Sequence, residues 1–119
     1  MSENTLLSKS KIFALEVIHL YQALQGEKEF VVSKQLLRSG TSIWANIREA
    51  TSGQSKQDFY AKICIAFKEA HETMYWLELL EESSLTHLDT KKSQLQCTEL
   101  LKMLASTKLT TEQNLNYKK

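Results

Sequence analysis

The sequence contains no proline and only three glycines, Gly26, Gly40 and Gly53. Proteins built from strands and tight turns need these two residue types at their corners, so their scarcity argues against a β-rich fold. Many segments are instead rich in leucine, lysine, glutamate, glutamine and alanine, which are good helix formers. At 119 residues the chain has the size of a single domain with one core. We therefore expect one all-α domain.

Cysteines and long apolar runs are also scarce. The two cysteines, Cys64 and Cys97, both lie at apolar positions of the helical pattern. Reduced, buried thiols are the simplest interpretation, with a disulfide or a metal site as the alternative. No apolar run reaches the length of about 18 residues that a membrane span requires, so we expect no transmembrane helix. The first twenty residues lack the apolar block of a signal peptide, which predicts a cytoplasmic protein.

Apolar residues recur at intervals of three and four, which predicts four helices at about 5–25, 30–52, 56–82 and 89–111 and a polar tail over 112–119. Gly26 is a candidate stop signal for the first helix, Ser55 with Asp58 a candidate cap for the third, and Asp89 or Thr90 a cap for the fourth. The apolar stripes are Phe13, Val17, Leu20 and Leu24; Leu36, Gly40, Ile43, Ile47 and Ala50; Phe59, Ile63, Ala66, Ala70, Met74 and Leu77; and Leu95, Cys97, Leu100, Leu104 and Leu109. Because the connections are short, consecutive helices should pack antiparallel, as in an up-and-down four-helix bundle.

The stretch "RSGTSIWANIREATSG", residues 38–53, gives many positions in mid-helix to small and hydroxyl side chains. An interior glycine such as Gly40 costs up to ~1 kcal/mol of helix propensity. We expect close packing against another helix to offset this loss. Beside the apolar stripe runs a polar one with helical spacing, formed by Arg38, Ser42, Asn46 and Glu49.

If the second and third helices form a hairpin that turns near Gly53, residues equally distant from the turn lie at the same level. This register places Arg38 near Glu69 or Glu72, which suits the fork of a guanidinium. A buried pair would make Arg38 essential for stability, whereas a solvated pair would contribute little. The remaining level pairs are Ser42 with Ile65, Asn46 with Ala61, and Glu49 with Asp58.

Two tryptophans, Trp44 and Trp76, flank the apolar stripes of the second and third helices without lying on them. Such positions belong either to the periphery of the core or to a contact between subunits. We treat both as candidate interface residues.

Residues 36–80 carry a recognisable pattern, formed by Arg38, Ser42, Ile43, Asn46, Ile47, Glu49 and Ala50, then Ser55, Lys56, Phe59, Ala66, Glu69, Glu72 and Tyr75–Leu77. This pattern resembles the four helix bundle protein family, which also carries the name S23 ribosomal protein and has bacterial members encoded within intervening sequences of 23S rRNA genes. The resemblance implies a four-helix protomer that assembles into a homopentameric ring. It also implies a relation to the accessory variability determinant of diversity-generating retroelements, a pentamer that binds nucleic acid and partners a reverse transcriptase.

The net charge is only +1, but the charges are segregated along the chain. Residues 69–90 hold the acids Glu69, Glu72, Glu78, Glu81, Glu82 and Asp89 and no lysine or arginine. Affinity for phosphate backbones grows with the number of cations that reach them. An oligomeric ring would repeat a modest basic patch in every subunit and so bind multivalently. The candidate nucleic-acid-binding residues are Lys34, Arg48, Lys56, Lys62, Lys91, Lys92, Lys102 and Lys108, which could equally be ordinary solvated lysines and arginines.

No residue set with catalytic spacing is present. Glu16 and His19 form one Glu-x-x-His pair, but a di-iron bundle needs two such pairs, and phosphate-binding glycine loops are absent. We therefore expect a non-catalytic oligomer without metal, cofactor or small-molecule substrate. RNA or a reverse transcriptase is the partner that the resemblance implies, and the alternative is a protein scaffold that binds no nucleic acid.

Overall fold

The computed structural model describes residues 3–117, which form four α-helices and no strand. Their bounds are α1 Glu3–Gly26, α2 Val32–Thr51, α3 Lys56–Glu82 and α4 Lys91–Tyr117. The all-α fold predicted from the sequence is thus confirmed. The molecule is a rod with principal extents of 52 × 22 × 21 Å. Within residues 3–117, no helix is both long enough and apolar enough to cross a membrane.

The helices are arranged as a square in chain order. Each helix packs against its neighbours in sequence, and α1 also packs against α4. Among the described residues, no Cα atom of α1 lies within 8 Å of α3, and none of α2 lies within 8 Å of α4. Ion pairs between Lys9 and Glu99 and between Glu16 and Lys92 show that α1 and α4 run in opposite directions. This is the packing of an antiparallel up-and-down bundle.

The core forms along the predicted stripes of α1 and α2 and along most of the stripe of α3. The stripe predicted for α4 was wrong at Leu95 and Leu109, which are 74% and 56% exposed. Leu95 precedes the buried Cys97 by two residues, and two residues turn a helix by ~200°, so both cannot face the core. Met103 and Thr111 are buried on α4 instead.

The first loop closes α1 with a Schellman motif, centred on a residue other than the predicted Gly26. Lys28 adopts the left-handed conformation, with φ of 65°. The N–H of Glu29 bonds to the carbonyl of Leu24 at 2.9 Å, and the N–H of Lys28 bonds to that of Gln25 at 2.9 Å. These are the two bonds of the motif, with Lys28 in the place that glycine usually takes. Gly26 is the last residue of α1 and does not have a positive φ.

Glu29 then caps the next helix, which explains why α2 begins at Val32 instead of near residue 30. Its carboxylate accepts hydrogen bonds from the backbone N–H groups of Val31, Val32 and Ser33, at 3.2, 3.1 and 2.6 Å. Three donors that the first turn leaves unpaired are thereby satisfied. The predicted cap of α3 is confirmed, since Ser55 Oγ accepts a hydrogen bond from the N–H of Asp58 at 3.0 Å.

The fourth helix extends to Tyr117, well beyond the end predicted near residue 111. Glu112 is held in the helix by Lys108, one turn earlier, at 3.1 Å, and by the hydroxyl of Tyr60 on α3 at 2.7 Å. Residues that resembled a polar tail therefore continue the helix, because contacts with α3 compensate for their weak apolar pattern. Lys118 and Lys119 lie outside the described residues.

The predicted close packing of α2 occurs at Gly40 and involves α1. A Cβ atom at this position would lie 2.8 Å from both methyl carbons of Val17, a distance that real contacts essentially never show. Any larger residue would force the two helices apart. The loss of helix propensity at Gly40 is thus the condition for the contact between α1 and α2.

We expect Gly40→Ala to lower the free energy of unfolding by about 1–2 kcal/mol, because overpacking outweighs the gain in helix propensity. Urea denaturation followed by circular dichroism measures this change. In a Val17→Ala background the same substitution should cost far less. Gly26→Ala is the matched control, since a Cβ there meets nothing within 4 Å. Equal effects of Gly40→Ala in both backgrounds would contradict the proposed contact.

We expect Lys28→Gly to raise the free energy of unfolding by about 0.5–1 kcal/mol, because glycine adopts positive φ without the steric cost of a Cβ. Thermal and urea denaturation measure the gain. Lys28→Ala is the control, since it removes the charge but keeps the Cβ. A gain of the same size in both variants would attribute the effect to charge instead.

Candidate interaction surfaces

The contact between α2 and α3, called here the α2–α3 seam, is built on two buried hydroxyls. Ser39 Oγ and Thr73 Oγ1 lie 2.9 Å apart, and both residues are buried. Further along, Glu49 pairs with Lys62 at 3.3 Å. The predicted register, which set Glu49 level with Asp58, was therefore wrong by about one helical turn. The reason is that the first turn of α3 projects beyond the end of α2, so the hairpin is not symmetric about Gly53.

Arg38 lies across the outer edge of this seam and binds two carboxylates of α3. Its Nη1 atom is 3.2 Å from Glu69 Oε2, and its Nη2 atom donates to Glu72 Oε2. The side chain of Arg38 is 51% exposed, whereas that of Glu69 is only 15% exposed. The cluster is thus neither fully buried nor fully solvated, because Arg38 pairs with Glu69, which is largely shielded, and with Glu72, which is 33% exposed.

Trp76 completes this cluster, because its indole N–H donates to Glu72 Oε2 at 3.1 Å. The hydrogen bond from Trp76, together with the bond and charge of Arg38, lowers the pKa of Glu72 against the opposing effect of burial. In turn, the bond to Glu72 raises the pKa of Arg38. The indole also packs against the core, so Trp76 links the ion pairs to the apolar interior. We call Arg38, Glu69, Glu72 and Trp76 the seam cluster.

The other two members of the polar stripe bond within their own helix. Asn46 Nδ2 donates to the carbonyl oxygen of Ser42 at 2.9 Å and lies 3.1 Å from its hydroxyl. Asn46 is buried and Ser42 is half-buried. Their short side chains satisfy one another and leave space for α3 to approach. At Ser42 and Asn46, the helical spacing of polar residues therefore contributes to the packing of α2.

The eight basic candidates for nucleic-acid binding do not form one patch. Lys62 pairs with Glu49, Lys92 with Glu16 at 3.6 Å, and Lys108 with Glu112. Lys34, Lys56, Lys91 and Lys102 are exposed and divided among α2, α3 and α4. Arg48 differs from the others because its guanidinium lies 5.0 Å from the ring centre of Trp44. Sequence position alone did not separate these environments, since the acids that pair with Lys62 and Lys92 come from other helices.

Large apolar side chains are exposed at several places on the described part of the bundle, and two groups of them lie within helices. On α1 and α4 these are Ile12, Leu15 and Leu95, beside the ion pairs of Lys9 with Glu99 and of Glu16 with Lys92; we call them the α1–α4 patch. On the outer face of α3 they are Ile65, Tyr75 and Leu79, which we call the α3 patch. The sequence shows that Leu95 and Cys97 cannot both face the core, but the structure decides that Cys97 is the buried one.

A cleft of about 650 Å³ opens where the first turn of α3 projects beyond α2. Phe59 lies on one side, and the remaining lining is mainly hydroxyl and amide groups, with Lys56 as its single charged residue. No three histidine, cysteine or acidic side chains come together as a metal-binding group anywhere in the described part of the chain. Both cysteines are free thiols, and burial raises the pKa of Cys97 to about 12.

The profile of the 23S rRNA-intervening sequence protein family matches residues 2–106, which include the seam cluster and the whole α2–α3 hairpin. The chain belongs to this family. A similar solved structure is that of a protein of unknown function from the S23 ribosomal protein family of Bacteroides thetaiotaomicron. It is 48% identical with a TM-score of 0.82, and the similarity covers 90% of this chain and 97% of that one. No functionally curated protein matches this family member significantly.

We expect Arg38→Ala to lower the free energy of unfolding by roughly 1–2 kcal/mol, between the value of a solvated pair and that of a buried one. The loss arises because Glu69 and Glu72 keep their shielded positions without their cation. A double-mutant cycle with Glu72→Gln measures the coupling by urea denaturation. Arg38→Lys, which keeps the charge but loses the fork, should recover only part of it. Additive effects of Arg38→Ala and Glu72→Gln would contradict the pairing.

The lowered pKa of Glu72 predicts a dependence of stability on pH. A carboxyl whose pKa is lower in the folded state stabilises the protein above its unfolded pKa, and the contribution is lost as pH falls through the folded pKa. The free energy of unfolding should therefore decrease as pH falls below about 4.5, the ordinary value for this residue. In Glu72→Gln this decrease should be smaller. An identical pH profile in both proteins would show that Glu72 does not contribute.

Proposed function

We propose that this protein is a non-catalytic structural module that assembles with copies of itself into a ring. The observation that carries this proposal is the exposure of two apolar patches, one on α1 and α4 and the other on α3. Exposed apolar clusters of this kind mark association surfaces. Because the α1–α4 patch and the α3 patch differ, the contact between two copies is head-to-tail, and such contacts close into rings when the rotation allows it.

The number of subunits in this proposal is five, as the family resemblance implies. The absence of a catalytic role is supported by the groups whose pKa is shifted, because each is engaged in structural contacts. Tyr60 is an example: donating its hydroxyl to the Glu112 carboxylate raises the pKa of the phenol. We place the assembly in the cytoplasm, where the free thiols of Cys64 and Cys97 stay reduced.

Sedimentation velocity and light scattering test the assembly directly. We expect a species of five times 13.7 kDa for the wild-type protein. Leu95→Gln in the α1–α4 patch and Ile65→Gln in the α3 patch should each reduce the mass, because burial of apolar area is lost from every contact. Leu85→Gln is the matched control, since Leu85 is exposed in a loop outside both patches.

A mixing experiment identifies the head-to-tail geometry. Each variant keeps one intact patch, so an equimolar mixture of Leu95→Gln and Ile65→Gln should form heterodimers that neither variant forms alone. A wild-type protein that is monomeric at its highest soluble concentration would overturn the proposal. Variants that both stay fully assembled would show that the contact lies elsewhere.

Binding of nucleic acid, as an accessory to RNA or to a reverse transcriptase, is a second candidate function. The observation that favours it is the contact of Arg48 and Lys11 with Trp44, which brings two cations to one aromatic ring. A filter-binding titration of single-stranded RNA at two salt concentrations tests this candidate, because phosphate contacts weaken as salt rises. Recovery of a reverse transcriptase with the tagged protein would support the role as its accessory. If the protein binds no RNA at low salt, the nucleic-acid-binding function is excluded.

A further inference from the structure

Trp44 lies on the face formed by α1 and α2, away from the seam cluster. Two cations contact its ring: Lys11 Nζ at 5.8 Å and Arg48 Cζ at 5.0 Å from the ring centre. The ring is half-buried, whereas Lys11 and Arg48 are exposed. Cations lie at such distances from an indole because its face carries partial negative charge. The arrangement holds one ammonium and one guanidinium, from different helices, beside the same ring.

Glu16 and Glu49, the described acids within these two helices, pair with cations of α3 and α4. Glu16 of α1 pairs with Lys92 on α4, and Glu49 of α2 pairs with Lys62 on α3. Among the side chains that the structure describes, neither Lys11 nor Arg48 has a carboxylate within 4.0 Å. This contrasts with Lys9, Arg38, Lys62, Lys92 and Lys108, which all have one. The face therefore carries two positive charges that are not paired with any described carboxylate.

We propose that Lys11, Trp44 and Arg48 form a binding site for a phosphodiester chain. A guanidinium attracted to the face of an aromatic ring still has N–H groups with which it can donate to phosphate oxygens as a fork. The ammonium of Lys11 binds a neighbouring phosphate as a point charge. The exposed part of the indole offers a surface on which a base can stack, and this combination of cations and an aromatic surface suits single-stranded nucleic acid.

This site deepens the nucleic-acid role given above as the second candidate function and rests on it. It also differs from the residue set that the sequence suggested. Of the eight basic candidates only Arg48 belongs to the site, while Lys11 was not among them and Trp44 was assigned to an interface. The signal that distinguishes Lys11 and Arg48 is their shared contact with the ring of Trp44, which depends on how α1 and α2 are rotated in the bundle.

The test measures the affinity of the full-length protein for fluorescein-labelled single-stranded oligonucleotides by anisotropy, with RNA and DNA of the same sequence as separate arms. Lys11→Gln and Arg48→Gln should each weaken binding about 3–10-fold at low salt. Each should also reduce the magnitude of the slope of log affinity against log salt by roughly one, because one phosphate contact is lost. Lys102→Gln is the matched control, because Lys102 is an exposed lysine of α4 without an ion pair. It should change affinity less than about twofold.

A second measurement reports on the indole ring of Trp44. Saturating oligonucleotide should quench the tryptophan fluorescence of the wild-type protein, and most of this quenching should disappear in Trp44→Phe. Melting temperatures and sedimentation of every variant establish that fold and assembly are intact. Equal affinity for RNA and DNA supports contacts with phosphate and base alone, and preference for RNA supports an additional contact with the 2′-hydroxyl.

Three results would overturn the site. If the wild-type protein binds oligonucleotides but Lys11→Gln and Arg48→Gln bind as tightly, nucleic acid binds elsewhere and the second candidate function survives without this site. If polyglutamate binds as tightly as the oligonucleotides, the face is a general anion surface. If the wild-type protein binds neither oligonucleotide at low salt, both the site and the nucleic-acid role fail, while the proposed ring is unaffected.

Discussion

The close packing of α2 between α1 and α3 is the constraint on which the rest of the bundle depends. On one side, Gly40 leaves no room for a Cβ against Val17. On the other, the hydroxyls of Ser39 and Thr73 meet in the buried part of the α2–α3 seam. A helix can satisfy both contacts only if it carries small residues on two faces at once. The small and hydroxyl residues after Arg38 meet this steric requirement, and the packing offsets their poor helix propensity.

Charged side chains bridge the outer edge of the α2–α3 seam, where packing has fixed the distance between the two helices. Glu69 and Glu72 lie at the margin of the core, where Arg38 donates to both of them and Trp76 donates to Glu72. The cluster is therefore less a source of net stability than a means of pairing two acids at the edge of the seam.

Much of the fold could be predicted from the sequence, because helical periodicity and the cap at Ser55 are local signals. The features that could not be predicted depend on contacts between helices. The exposure of Leu95, the shifted register of Glu49 and the continuation of α4 beyond Glu112 are each determined by a neighbouring helix. For the surfaces, sequence identified Arg38 and its acids, but it could not tell lysines that pair with distant acids from cations left without one. The left-handed Lys28 is a further case, since nothing local distinguishes it from an ordinary loop residue.

Native-state amide hydrogen exchange tests the central role of α2 most directly. Amides buried in the tightest packing exchange only when the whole molecule unfolds, whereas helix ends exchange through local fraying. The account predicts that the amides of residues 40–47 exchange with the free energy of global unfolding, and that those of residues 112–117 exchange with a much smaller one. If the amides of residues 40–47 instead exchanged through local opening, while those of α1 and α3 stayed protected, α2 would not be the element that holds the bundle together.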